Sequence, residues 1–153
     1  MAAEKNFKQQ VLDLIPQQKP FRFIDKIIEV DDQKISASYR FGENEGFYAG
    51  HFPGRPITPG VILIETMAQT CVVAMGISLL LRQDVSTDEI RNIITLFAYA
   101  DKVEFNGVVL PGEKVIVKGE KIYLRRGTLK ARATLSRENG EMVCSGIFAG
   151  ARG

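Results

Sequence analysis

One stretch of the chain, residues 47–70, reads FYAGHFPGRPITPGVILIETMAQT and holds the protein's single histidine, His51. Imidazole gains and loses a proton near neutrality, which makes it the natural side chain to move a proton at physiological pH. A lone histidine is commonly a surface or capping residue, so the case for chemistry rests on its surroundings. Gly50, Pro53, Gly54, Pro56, Pro59 and Gly60 flank it. Proline fixes φ and glycine lets a ligand approach the backbone, so such a loop presents an imidazole in one pose. Pro59 and Gly60 stand just before an apolar segment. If that segment is a helix, its first N–H groups have no intrahelical partner, and its dipole adds roughly half a positive charge at that end. A carbonyl oxygen gaining negative charge would be stabilised there.

Glu65 lies about one turn into the segment, with Gln69 at i+4 on the same face, within hydrogen-bonding reach. A first-turn glutamate is favoured by the dipole whether or not it reacts. Here Ile62, Leu63, Ile64, Met67 and Ala68 surround it, so its carboxyl is expected in a low-dielectric wall. Burial there would raise its pKa and let it hold a proton as a general acid. A base, an acid and an oxyanion donor are what β-elimination beside a thioester needs. Acid–base help is worth about 10²–10⁴ in rate per group, and one oxyanion donor about 10²–10³. No metal or organic cofactor is required.

These residues must be positioned by a framework. With 153 residues, the chain suits one globular domain spanning 1–153. A 45% hydrophobic and 25% charged composition gives no support to disorder or a fibrous class. The net charge of +2 is too small to imply nucleic acid. Cys71 and Cys144 lie in apolar surroundings without metal-ligand spacing, and are expected to be buried thiols in a reducing compartment. The opening MAAEKNFKQQ lacks a basic segment followed by an apolar one, so the expected address is cytoplasmic.

Residues 7–15 place Phe7, Val11, Leu14 and Ile15 on one helical face, and Pro16 stops the pattern. The run PFRFIDKIIEVDDQKISASYRF gives a hairpin turning at Asp31 and Asp32. Residues 42–60 are an irregular loop. Residues 61–82 form a helix apolar on nearly every face, which must be wrapped on several sides. It is about long enough to span a bilayer, which takes roughly 20 residues. Glu65, Gln69 and Ser78 within it, and the turns before it, favour burial in protein over membrane. Four strands follow: RNIITLFAYADKVEF, EKVIVKGEKIYL, TLKARATLSR and EMVCSGIFAG, the last two joined at Asn139-Gly140. The expected class is α+β, one curved antiparallel sheet wrapped around one long central helix.

GHFPGRPITPGVILIETMAQ closely resembles the signature of the FabZ-type 3-hydroxyacyl-[acyl-carrier-protein] dehydratases, which have the hotdog fold. KPFRFIDKI is similar to that family's PFLLVDR-type segment, and FAYADKVEF, PGEKV and VCSGIFAGAR to its later strands. The resemblance implies two subunits pairing their sheets edge to edge, the histidine of one facing the glutamate of the other, with dimers assembling into hexamers. It implies that His51 abstracts the α-proton, Glu65 of the partner handles the β-hydroxyl, and the Gly60 N–H polarises the thioester carbonyl. Phe52, Pro59, Gln69, Leu96 and Phe97 are the residues expected against the substrate. The implied product is the trans-2-enoyl thioester, in fatty-acid biosynthesis or a related aryl-polyene or polyketide pathway, with acyl carrier protein as partner.

Three departures stand out. Gln17, in IPQQKPF, occupies the place of a histidine in the family's LPHR-type segment; activity is expected to survive, because that position lies outside the proton-transfer pair. Leu96 stands where some members have a tyrosine that gates the acyl tunnel. FNGVVLPGE replaces a more basic loop, which points to a specialised relative. The basic residues Lys121, Arg125, Arg126, Lys130 and Arg132 suit either an acidic carrier protein or a solvated hairpin face. The competing readings are a hotdog thioesterase, since fold does not choose chemistry, and a non-catalytic carrier-binding subunit.

Overall fold

The computed structural model describes residues 2–153. The first helix, α1 (Ala2–Leu14), carries Val11 and Leu14 into the core and stops ahead of Pro16. It begins earlier than the apolar spacing predicts, because Ala2, Ala3, Glu4 and Lys5 favour helix while contributing nothing to the buried face. The hairpin β1 (Lys26–Val30) and β2 (Lys34–Arg40) turns as expected at Asp31, whose Oδ1 accepts from the Gln33 and Lys34 N–H groups at 2.8 and 2.7 Å.

After a 3₁₀ turn at Gly46–Ala49 and the His51 loop comes the central helix, Gly60–Arg82. It is not uniform: α2 (Gly60–Ala68) passes through a π-helical stretch, Gln69–Ala74, into α3 (Met75–Arg82). A short helix, α4 (Thr87–Arg91), follows, with Ser86 Oγ accepting from Glu89 N at 3.2 Å. Its S-x-x-E start is a capping-box pattern, and it trims the next strand, β3 (Thr95–Phe105), from the front. Then come β4 (Lys114–Arg125), β5 (Thr128–Arg137) and β6 (Met142–Arg152).

The six strands form one antiparallel sheet in the order β1-β2-β4-β5-β6-β3. The central helix lies across β2, β4, β5 and β6, so the segment long and apolar enough for a membrane span is covered mostly by its own chain. This is the hotdog arrangement. Close approach is bought by small residues in the sheet. A Cβ added at Gly119 of β4 would stand 2.6 Å from the Cys71 Cβ, and one at Gly150 of β6 would collide with Val72. Both cysteines are free and buried, and burial pushes their thiols up to about 12.

Candidate active site

The loop that carries His51 is closed by its own backbone. Ile57 N donates to His51 O at 2.9 Å, and His51 Nδ1 lies 3.0 Å from Ile57 O. A carbonyl oxygen only accepts, so Nδ1 bears the hydrogen and Nε2 carries the lone pair. The imidazole is thus set in the tautomer a general base needs. A turn inside the loop places Gly54 at φ 78°, with Arg55 N donating to Phe52 O at 2.9 Å. A side chain at Gly54 would be strained. The loop's exit is tied down by Thr58, whose N–H donates to Val109 O at 2.8 Å and whose Oγ1 lies 2.6 Å from the buried Tyr48 hydroxyl. Phe52 packs beside the imidazole, ring centroids 4.5 Å apart, and is 55% exposed.

The helix begins where this loop ends. Pro59 O accepts from Ile62 N at 2.9 Å and from Leu63 N at 3.2 Å. The N–H groups of Gly60 and Val61 therefore precede the first intrahelical bond, at the positive end of the helix dipole. The Phe105 ring lies against Gly60: a Cβ there would be 3.0 Å from its Cζ. A side chain at position 60 would require this ring to give way.

Glu65 is half-buried. Burial pushes its carboxyl above the ordinary range, and the hydrogen bond from Gln69 offsets part of that rise. Gln69 is fully buried and works on three partners at once. Its Nε2 donates to Glu65 Oε2 and to Phe21 O, both at 2.8 Å, while its Oε1 accepts from Phe23 N at 2.7 Å. The expected i+4 bond is present. Both hydrogens of its amide and one lone pair of Oε1 are engaged within the chain. Through them Gln69 ties Glu65 to the backbone ahead of β1.

A cleft beside Glu65 is lined by Gln17, Val72, Thr95, Leu96 and Phe97, among others. It shares Val72, Val73 and Thr95 with a cavity of about 430 Å³, walled by Leu14, Ile15, Ile77, Leu80, Ile90 and Leu129. Leu96 and Phe97 thus border the same cleft as Glu65, and the adjoining cavity has a mixed lining, in which Asp13, Gln83, Arg91, Arg126 and Arg152 join the aliphatic side chains. His51, Phe52, Pro59 and Gly60 do not line that cleft. Among the described residues His51 and Glu65 share no hydrogen bond. Within one chain, His51 and Gly60 stand on the loop and first turn that lead into the helix, while Glu65 borders a cleft that neither of them lines. Thr95, Phe105 and the Gln69 contacts with residues 21 and 23 escape a reading of the sequence, because each depends on a long-range contact with no local pattern. Gln17 was visible as a departure from the family pattern, but only the cleft gives it a place.

With this geometry in hand, comparison with known proteins is informative. The model of the FabA-like domain matches residues 15–146. The chain is 38% identical over 137 residues to the 3-hydroxyacyl-[acyl-carrier-protein] dehydratase FabZ of Caldicellulosiruptor saccharolyticus, covering 89% of this chain and 91% of that one. It is 36% identical over 137 residues to the FabZ of Bacillus velezensis, covering 89% and 90%. Among solved structures, the dehydratase heterocomplex ApeI:P from Xenorhabdus doucetiae superposes with a TM-score of 0.76 at 13% identity, covering 94% of this chain and 90% of that one. That last likeness concerns the fold.

Proposed function

The chain belongs to the FabA-like family, and from that premise we propose that it dehydrates a (3R)-3-hydroxyacyl-[acyl-carrier-protein] to the trans-2-enoyl thioester and water. It is a dehydratase of fatty-acid biosynthesis or a related route. The observation that carries the mechanism is the opposite preparation of two groups: Ile57 O leaves the lone pair of His51 on Nε2, and burial favours the proton on Glu65. Nε2 takes the α-proton, and the thioester oxygen gains charge against the Gly60 N–H. The Cα–H electrons become the double bond as the Cβ–O bond breaks, and the leaving hydroxyl takes the Glu65 proton. Imidazolium and carboxylate remain, and one proton transfer between them restores the start. The acyl tail extends past Leu96 and Phe97 along the aliphatic side of the adjoining cavity, formed by Val72, Ile77, Leu80 and Leu129.

In this reading residues 1–153 act as one domain, and the site is shared: His51 and Gly60 of one subunit face Glu65 of the other. Support comes from the separation of the two halves within one chain and from the character of β3. This 11-residue strand is the last in the sheet, so its outer edge has no strand beside it. Leu96, Phe97, Tyr99 and Phe105 on it are 56%, 45%, 41% and 48% exposed, and nearby Val61 is 71% exposed. A long apolar edge beside an apolar patch is a surface that a second copy would cover. The dimers further associate as a trimer of dimers, in the cytoplasm. Native mass spectrometry reads the subunit number directly, and a monomer would remove the shared site.

The chemistry is tested by incubating the protein with a 3-hydroxyacyl-carrier thioester and following mass. Loss of one water with the acyl group still on the carrier is expected. Release of free acid would instead make it a thioesterase, the reading that the fold alone leaves open.

A further inference from the structure

We propose that Gln17 is a substrate-contacting residue of the dehydration: its Oε1 accepts the hydrogen of the leaving hydroxyl and, with Glu65, holds the departing water. The proposal rests on the dehydratase reading. Its starting point is an unpaired atom. Gln17 Oε1 is buried and has no hydrogen-bond partner among the described residues, and the side chain lines the same cleft as Glu65. Buried carbonyl oxygens are rarely left unpaired, because losing water without gaining a donor costs free energy.

The sequence explains why no local donor reaches it. Gln17 sits in Ile-Pro-Gln-Gln-Lys-Pro, where Pro16 and Pro20 have no N–H to give. The neighbouring amide, Gln18 Nε2, donates to Ile15 O at 3.1 Å and not to Gln17. Apart from Thr95, the rest of the cleft is apolar, with Ala68, Val72, Val73, Leu96, Phe97 and Ala149 on its walls. Two side chains with unengaged oxygens therefore border this cleft: Gln17, whose Oε1 is buried without a partner, and Glu65, of which Gln69 engages only Oε2.

An acceptor asks for a donor. Of the reacting part of the substrate, comprising the thioester carbonyl, the α-carbon and the β-hydroxyl, only the hydroxyl can give a hydrogen bond. Donating to Gln17 Oε1 turns a hydroxyl lone pair toward the proton on Glu65. When the Cβ–O bond breaks, its electron pair leaves on oxygen, the Glu65 proton joins it, and the α-proton is already on His51. The product water has two hydrogens and meets two acceptors, Gln17 Oε1 and the new Glu65 carboxylate. The pair of oxygens thus specifies both where the hydroxyl sits before reaction and where the water rests after it.

The test compares Gln17→Met, Gln17→His and Glu65→Gln in the full-length protein with a 3-hydroxyacyl-carrier substrate. Methionine fills the same space without an acceptor. It is expected to lower kcat about tenfold, the worth of one well-placed hydrogen bond, with KM nearly unchanged and Tm equal or higher, because a buried unpaired oxygen has been removed. Histidine returns an acceptor nitrogen and should recover most of kcat. Wild-type kcat in Gln17→Met, beside an impaired Glu65→Gln, would overturn the proposal and leave the dehydratase site standing. A Tm that falls together with kcat, or a folded Gln17→His as poor as Gln17→Met, would assign Gln17 a packing role and overturn it as well. Unimpaired turnover in Glu65→Gln would instead remove the reading of the site on which the proposal stands.

Discussion

The two α-helical ends of the central helix, α2 and α3, are alike in apolar content and are buried by different company. In α2, Leu63 and Met67 pack into a cluster with Phe23, Tyr39, Phe41 and Phe148, and the same turns carry Glu65, Thr66 and then Gln69. In α3, Met75, Ile77 and Leu79 pack among Val11, Ile24, Ile27, Ile35 and Ile90. The one buried polar side chain there, Ser78, donates to Met75 O at 2.8 Å within its own turn. At the α2 end Thr66 likewise donates to Ile62 O, at 2.6 Å within its own helix, but Gln69 needs the distant Phe21 and Phe23, and Glu65 in turn is held by Gln69. A π-helical stretch lies between the two ends, and such insertions recur at functional sites. The lesson is that an apolar helix keeps polar residues where other parts of the chain, or a ligand, complete their bonding.

If the ends divide labour in this way, mutations should separate turnover from stability. His51→Ala removes the base proposed on the loop that leads into α2 and should lower kcat by about 10²–10⁴, with little change in Tm, because the imidazole is not part of the core. Met75→Ala in α3 should do the reverse: a loss of about 2–5 kcal/mol in unfolding free energy from the cavity it leaves, with kcat of the folded fraction kept. Steady-state kinetics and urea unfolding on the same samples decide this. An equal loss of kcat in Met75→Ala would mean that the two ends are mechanically one.

Gln69→Leu probes the seam between chemistry and packing. Leucine is apolar and of similar bulk, yet it orphans Phe21 O and Phe23 N, and each unpaired buried group costs about 1–3 kcal/mol. It also frees the Glu65 carboxyl from the bond that aims it. Stability and kcat should therefore fall together, which neither His51→Ala nor Met75→Ala should show. A stable variant with lowered kcat would indicate that Gln69 meets the substrate after all.

Much of this division is legible in the residues themselves. GHFPGRPITPG announces a stiff loop because proline and glycine act locally, and IETMAQ places Glu65 and Gln69 on one face because i,i+4 spacing is a property of any helix. The strands and the Asp31 turn follow from alternation and turn chemistry, and so emerge close to their true bounds. What stays hidden depends on contacts across the chain. The π-helical stretch has no sequence pattern of its own, and the Gln69 bonds reach 46 and 48 residues back. The α4 helix is a different case: Ser86 and Glu89 spell its cap, but five residues lie below the reach of hydrophobic periodicity.

The basic hairpin formed by β4 and β5 is a smaller and more distant influence. Arg125 lies over the Tyr123 ring at 4.2 Å, and Lys130 over Tyr99 at 4.5 Å, so part of this charge is held in place on the surface. Arg125 and Arg126 are exposed. Reversing both to glutamate should raise KM for a carrier-linked substrate about tenfold at low salt, through slower encounter with an acidic carrier, and spare a small thioester analogue. Equal effects on both substrates would return the hairpin to a solvated face and leave the α2 end alone in charge of specificity.

The smallest expected effect concerns stability at the α2 end. Burial raises the Glu65 pKa above its ordinary value, so the folded protein binds this proton more tightly than the unfolded chain does. The stabilisation tied to that proton is fully present below the unfolded pKa and is lost as pH rises through the folded pKa. Ionising the carboxyl in its cleft carries a desolvation cost. Glu65→Gln removes the charge while keeping an oxygen for Gln69, and should therefore raise Tm slightly at neutral pH. The gain should shrink as pH falls through the folded pKa of Glu65, where the wild-type carboxyl becomes neutral as well. Thermal melts of both proteins across that range give the difference curve. A gain that grows toward acid would mean that Glu65 is held as a carboxylate in the free protein, and the proton for the leaving hydroxyl would then have to come from elsewhere. No comparable pH dependence is expected of variants in α3, whose buried face carries no titratable side chain apart from what packs against it at the chain's surface.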